Sequence, residues 1–546
     1  MKNRKYNVSV TLVALILLAF MGCKKDYLDF DLTDGSIRES DVWASDLHSR
    51  GFLNGAYGGI PLRYDLGDGS LMASGTDEAV NSNPSGNINI FNNGTWTAQN
   101  TIDDQYSNFY SYIRRTNLFL ENSSTSAITP RTDIPKLRGE AFFLRALYHF
   151  ELLERYGGIV LATHSYDLSQ NLNQPKSSFD EVVVQIVKDC DSAAIVLPES
   201  LSDLSNADKG RATKTAALAL ESRTLLYAAS PLNNKDGDVT KWQAAANAAK
   251  AVIDLNKNNL LTLAQLPNLW NYSALAYNSE VIFASQTNNT NTIEINNAPI
   301  SYDGALGRTD PTQELVNAFD MKTTGKPITD ATSGYDPQNP YADRDPRLDL
   351  FIIRNGANFK SAAVETFMGG KDNNPGNVNS TRTGYYMRKF LSESAYWGVG
   401  NAVKVRRAWV LFRYSEILLN YAEALNEAQG PVTDVYTYIN QVRARATMPP
   451  LPVGLTKEQM RGRIQNERRV ELCFEDQRFF DIRRWKLGEQ FLNKPVSGIQ
   501  ITKTGTALIY QTVQADTRIF TDKMYLYPFP QTELYKEPKL EQNPGW

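Results

Sequence analysis

The 546-residue chain has little cysteine and little histidine, three of each. Three cysteines build no disulfide framework, and His48, His149 and His164, which show no metal-ligand spacing, are too few for most zinc enzymes. Net charge is also scarce: 57 basic side chains face 60 acidic ones. That balance excludes attachment to nucleic acid or anionic lipid by bulk electrostatics. Past the N-terminus no apolar run reaches the roughly twenty residues that a membrane-spanning helix needs. Catalytic signatures are missing too: there is no His-Glu-x-x-His helix, no Gly-Lys-Ser/Thr phosphate loop and no nucleophile elbow. No low-complexity linker divides the chain. What is present is an ordinary globular composition, 42% hydrophobic and 11% aromatic.

The first residues carry an address. Lys2, Arg4 and Lys5 form a basic start, and Val10 to Met21 is a twelve-residue apolar stretch. This is too short to span a bilayer and suits an export signal. Gly22-Cys23 follows, a small residue and then Cys, as in the lipobox of bacterial lipoproteins. Phe20 and Met21 stand where that pattern prefers small aliphatic residues. We therefore expect a signal peptide over 1–22 and lipidation of Cys23. Several acyl chains there anchor stably, each buried methylene adding about 0.8 kcal/mol.

Residues 23–546 read as one large domain. Residues 24–103 are rich in Gly, Asn, Asp and Ser. Apolar spacing then predicts helices over 104–122, 137–156, 178–197, 213–229 and 242–255, with a capping box at Ser178 and Glu181. Turn residues dominate 258–405, where short strand-like runs appear at 281–285, 350–354 and 385–390. Helices return over 409–428, 432–446, 458–474 and 476–487, with a second capping box at Thr456 and Gln459, and strand and loop follow from about 496. The fold class expected is mainly α: paired helices, tetratricopeptide-like, carrying a loop-rich insert with short β-hairpins. The thirty-four-residue period is irregular. The expected division is an N-terminal half over about 24–230, the insert over about 258–405 and a C-terminal half over about 406–546.

Glu467, Glu471 and Glu475 repeat every four residues on one helix face. Two of them as acid and base would make a surface glycan hydrolase. Adjacent like charges need cations, however, and Arg443, Arg445, Arg468 and Arg478 are at hand, so a structural ion network is expected and no enzyme. Cys190 and Cys473 read as buried inert thiols. Asp29, Asp31, Asp34 and Gly35 miss the spacing of a calcium loop. No metal and no organic cofactor is expected.

Binding chemistry is better supplied. A sugar offers in-plane hydroxyls and a weakly apolar C–H face, which suits an aromatic plate rimmed by Asn, Asp or Arg. Loop aromatics amid polar turns provide this pairing: Trp96 with Asn93, Trp270 with Tyr272, Tyr302 with Asp303, Tyr335, and Tyr396-Trp397. These are the candidate ligand-binding residues, Tyr302 foremost.

Several long motifs in order give the chain a resemblance. They are Arg138-Gly-Glu-Ala-Phe-Phe-Leu-Arg-Ala-Leu-Tyr-His-Phe, ending in Arg155-Tyr-Gly-Gly; Gly210-Arg-Ala-Thr-Lys; and Asp343-Arg-Asp-Pro-Arg-Leu. Gly384-Tyr-Tyr-Met-Arg-Lys-Phe, Tyr414-Ser-Glu-Ile-Leu-Leu-Asn-Tyr-Ala-Glu-Ala, Asn440-Gln-Val-Arg-Ala-Arg-Ala and Glu467-Arg-Arg-Val-Glu-Leu-Cys-Phe-Glu follow. Arg478-Phe-Phe-Asp-Ile-Arg-Arg-Trp and Gln542-Asn-Pro-Gly-Trp complete the series. With these motifs the chain resembles the SusD/RagB family of outer-membrane nutrient-uptake lipoproteins along nearly its whole length. The resemblance implies four tetratricopeptide-like helix pairs supporting variable loops. It also implies a lipid-anchored position on the outside of a Gram-negative outer membrane, as a lid on a SusC-like TonB-dependent barrel. The ligand implied is an oligosaccharide or, in the RagB branch, a peptide. Ligand residues of the family lie in its variable loops and do not transfer by motif. A scaffold protein without a small ligand is disfavoured by the export signal and the loop aromatics.

Overall fold

The computed structural model describes residues 38–166, 172–270, 278–398, 400 and 402–546. Cys23, the Asp29–Asp34 stretch and Tyr272 lie outside the described residues. The principal helices are α1 (Tyr106–Asn122), α2 (Ile134–Tyr156), α3 (Phe179–Val196), α4 (Lys214–Ala229), α5 (Val239–Asp254), α6 (Tyr414–Gln429), α7 (Thr433–Arg445), α8 (Lys457–Glu471) and α9 (Gln477–Arg484). Each from α1 to α6 packs against the next, and α6 then packs against both α7 and α8. This serial packing of helix hairpins is the tetratricopeptide-like layout that the sequence predicts. Among the described residues no helix is long and apolar enough to cross a membrane.

Local chemistry explains the boundaries. Ser178 Oγ accepts from the Glu181 N–H while the Glu181 carboxylate accepts from the Ser178 N–H, which satisfies donors at the start of α3 that have no partner within the helix. Thr456 and Gln459 do the same for α8. On α1, Phe109, Ile113 and Leu120 face the core, and Ala-rich α4 and α5 pack together with Ala219, Ala245 and Ala249 buried. One hydrophobic core runs from Leu53 to Leu540.

Between α5 and α6 the chain leaves the helical stack to form the insert, although the two helices themselves remain packed together. Strand β1 (Val281–Gln286) pairs antiparallel with β2 (Ala408–Arg413) at its base. This corrects the expected helix over 409–428, whose first five residues are strand. Trp409, Val410, Leu411 and Phe412 form a continuous apolar run, and such a run in a covered strand has no periodicity to separate it from a buried helix. Within the insert, the predicted strands at 350–354 and 385–390 shrink to Ile352–Ile353 paired with Tyr386–Met387. Near the C-terminus β3 (Val496–Thr504) and β4 (Ala507–Asp516) make a long hairpin.

The carboxylate face of α8 fastens the insert to the scaffold. Glu471 accepts from Arg413 at 2.6 Å, from Arg347 at 2.9 Å and from Arg445. Glu467 accepts from Arg443 at 3.0 Å and pairs with Arg347 at 2.7 Å. Glu475, just beyond the helix, meets Arg413 and Lys389. Arg347 and Lys389 come from the insert, and Arg413 ends β2, so the network is the joint between the two regions. Burial pushes the Glu471 carboxyl up, but Arg445, Arg413 and Arg347 outweigh it and hold the group well below the usual carboxylate range. Two expected partners go elsewhere: Arg468 to Asp481 and Arg478 to Asp77. Cys190 and Cys473 are buried, and burial raises both thiols.

Candidate functional site

Three of the predicted aromatics meet in one cleft of about 540 Å³ on the insert. Tyr302 lies in the turn after the short helix Thr292–Asn297, where its N–H donates to the Pro299 carbonyl at 3.1 Å and its carbonyl accepts from Ala305 at 3.0 Å. Tyr396 and Trp397 come from a segment whose ends are tied by two backbone hydrogen bonds between Tyr396 and Val403, at 3.0 and 2.7 Å. The Asn291 side chain donates to the Tyr396 carbonyl at 3.0 Å, holding the segment to the chain ahead of that short helix.

The polar tips of two rings are committed to backbone carbonyls. Tyr302 Oη donates to the Phe359 carbonyl at 2.5 Å, and Trp397 Nε1 donates to the Asp303 carbonyl at 2.6 Å. Tyr302 also packs edge-on against buried Phe359, centroids 5.3 Å apart, and stands 6.3 Å from Trp397 at an interplanar angle of 53°. The two rings are thus fixed in orientation before any ligand arrives, which lowers the entropy cost of stacking. Tyr396 is 50% exposed and forms the open side. Its hydroxyl lies so close to Gly398 that a Cβ there would stand 2.2 Å from it.

Lys360, which the sequence reading missed, completes the floor. It sits in the two-residue turn joining Asn358–Phe359 to Ala362–Ala363, and both turn residues, Lys360 and Ser361, have positive φ (+48° and +64°). Such turns favour Asn and Gly, so a Lys-Ser turn is strained, and no sequence signal announces it. The strain is held by Tyr302 bonding to the preceding carbonyl. The ammonium donates to the Ala395 carbonyl and lies 4.9 Å from the centroid of the Trp397 ring system. Partial burial lowers its proton affinity, with Glu393 opposing. Asp303 and Glu393, both exposed, add carboxylates to the rim. Rigid ring faces with mixed donors and acceptors can stack on a sugar and hydrogen-bond its hydroxyls.

Other candidates stand elsewhere. Trp96 is buried, 1% exposed, with edge contacts to Phe91, Tyr527 and Trp546 at 4.8 to 5.2 Å. Trp270 is likewise buried, packed on Phe351 and Phe390. Neither presents a plate to solvent, because distant parts of the chain cover both rings. Asn93 is exposed, but its side chain folds back to accept from Thr95 N–H and Oγ1 in a local turn. Tyr335 is half-buried over the Arg344 guanidinium, 5.5 Å from it, and is not part of the cleft. Of the three glutamates from which a candidate acid and base were drawn, Glu467 and Glu471 are sealed in the joint at 2% and 0% exposure, and Glu475 is held there by Arg413 and Lys389.

Comparison with known proteins agrees with this architecture. A family model described as "SusD family" matches residues 279–546, and one described as "Starch-binding associating with outer membrane" matches residues 53–226. SusD-like protein P2 of Formosa agariphila is 24% identical, with all of both chains covered. Among solved structures, a SusD-like protein from Bacteroides fragilis superposes with TM-score 0.80 and 28% identity, covering 93% of this chain and 99% of that one. A SusD-like carbohydrate binding protein from Bacteroides fragilis gives 0.77 and 26%, covering 92% and 100%. With matching models on both halves, the signature motifs in order and the helix-pair fold in place, the chain belongs to the SusD/RagB family.

Proposed function

We propose that this protein is a surface lipoprotein that captures an oligosaccharide in the Tyr302–Tyr396–Trp397 cleft. The observation that carries the reading is the pair of rings, Tyr302 and Trp397, whose polar tips are bonded to backbone carbonyls and whose orientation is thereby fixed beside a strained turn. Ring stacking takes the C–H face, and Lys360, Asp303 and Glu393 take hydroxyls. The carbohydrate-binding relative and the starch-binding family description support a glycan over a peptide. Cys23 is the lipid anchor, which places the protein on the outer membrane facing outward. From there it hands its ligand to a SusC-like TonB-dependent barrel, over which it closes as a lid. It binds and does not catalyse.

Affinity electrophoresis through gels containing starch, laminarin or xylan tests the binding reading. At least one polysaccharide should retard the wild type distinctly more than Tyr302→Ala/Trp397→Ala. Equal retardation of both proteins would remove the site. Gentle detergent extraction followed by mass spectrometry tests the lid: a large barrel protein in near-equal amount is expected, and recovery of this protein alone would withdraw it.

A further inference from the structure

A second cleft, of about 410 Å³, opens on the helical scaffold and shares no residue with the first. The loop that follows α4 forms one wall. Its Asn234 side chain donates to the Ala229 carbonyl at 3.1 Å and to the Asp238 carbonyl at 2.9 Å, and Leu232 N–H donates to the Arg484 carbonyl at 3.0 Å. The loop is therefore rigid and bound to the end of α9. Trp242 from α5 and Trp485 after α9 line the cleft, with Phe491 beside them. Trp485 is fixed by an Nε1 hydrogen bond to Glu423 at 2.7 Å.

The edge is polar, and much of it is uncommitted. The side-chain amides of Gln465 and Gln490 make no hydrogen bond among the described residues, and neither does Trp242 Nε1, although Trp242 is only 8% exposed. Arg461 meets Glu427 in a two-pronged pair at 2.7 and 2.6 Å, and Glu423, the other carboxylate of the lining, is paired with Arg484 at 2.5 and 2.8 Å, so the edge offers donors and acceptors with no excess charge. An ionic ligand gains little from such an edge. An apolar peptide side chain would leave the amides and the indole N–H unpaired. A pyranose satisfies both parts, ring face on the indoles and adjacent hydroxyls on the amides. We infer that this scaffold cleft is a second oligosaccharide-binding site, separate from the one on the insert.

The test uses the full chain carrying 5-fluorotryptophan, with the Trp242 signal assigned through Trp242→Phe. It is run in the Tyr302→Ala/Trp397→Ala background so that the insert cleft cannot report. Maltohexaose, laminarihexaose and cellohexaose are titrated separately to millimolar concentration. A saturable shift of the Trp242 fluorine signal with at least one of them is expected. Adding Gln465→Ala/Gln490→Ala, which removes two side-chain amides with no hydrogen-bond partner among the described residues, should weaken that titration at least fivefold. A Trp242 signal unmoved by all three sugars overturns the site. So does a shift seen only when Tyr302 and Trp397 are intact, or an affinity unchanged by the amide substitutions. The insert cleft is read from the difference in gel retardation between wild type and Tyr302→Ala/Trp397→Ala, and the scaffold cleft from the Trp242 signal, so the two sites fail or stand separately.

Discussion

Trp96 and Trp397 look alike in sequence, each in a polar loop beside glycine or asparagine, yet they end in opposite surroundings. Trp96 lies between Phe91, Tyr527 and Trp546 in the scaffold core. Trp397 lies on the insert, its N–H tied to Asp303 and Lys360 beside its ring. The difference is made by chain far away, since the cover over Trp96 comes from the last twenty residues. The charged groups divide in the same way. At the joint Glu467 and Glu471 are buried with arginines, whereas Asp303 and Glu393 at the cleft remain in water. Trp96 and the joint glutamates therefore serve cohesion, whereas Trp397, with Asp303 and Glu393 near it, stands ready for a ligand.

Breaking the scaffold side should have the largest effect. Trp96→Ala removes a buried ring and should cost about 3–5 kcal/mol of stability, read by thermal or denaturant unfolding. Arg413→Ala leaves Glu471 and Glu475 short of a partner at the joint and should cost a similar amount, about 3–5 kcal/mol. A loss below 1 kcal/mol in either would mean that these groups do not bind the regions together.

Next comes a pH effect confined to the core. Glu78 is fully buried with one carboxylate oxygen unpartnered, and burial pushes its carboxyl up to about 8 from an ordinary 4.5. Between those values the folded protein keeps a proton that the unfolded chain has released, so stability falls as pH rises through this window. Glu78→Gln removes that fall. The melting temperature of the variant relative to wild type should climb between pH 5 and pH 8, and a constant difference would contradict the assignment.

The smallest effect expected sharpens the insert side. Gly398→Ala places a methyl where the Tyr396 hydroxyl now lies, with no positive φ at Gly398 to strain. Tyr396 must swing away, and glycan affinity should drop about threefold with stability almost unchanged, as for a surface substitution. Unchanged affinity would show that Tyr396 is outside the contact.

Much of the fold was legible because its signals are local. Capping boxes at Ser178 and Thr456 and the apolar spacing of α1 gave boundaries within a few residues. The strand Ala408–Arg413 was not, because its partner lies more than a hundred residues earlier. The cleft was half legible. Tyr302, Tyr396 and Trp397 were readable as loop aromatics, but the closeness of Tyr302 to Trp397 depends on tertiary packing. Lys360 was invisible, since its turn carries none of the residues that such a turn prefers. Trp270 failed for the same reason as Trp96: exposure is decided by what folds over a ring, and one sequence does not show that.

The central claim is a division of labour, and one paired measurement tests it most directly. Trp397→Ala and Trp96→Ala are compared with wild type for melting temperature and for affinity toward the polysaccharide that retards the wild type most. Trp397→Ala should lose at least about tenfold in affinity, 1.4 kcal/mol, with its melting temperature nearly unmoved. Trp96→Ala should melt much earlier while the folded fraction binds as wild type. Wild-type affinity in Trp397→Ala, or weakened binding in fully folded Trp96→Ala, would contradict the account.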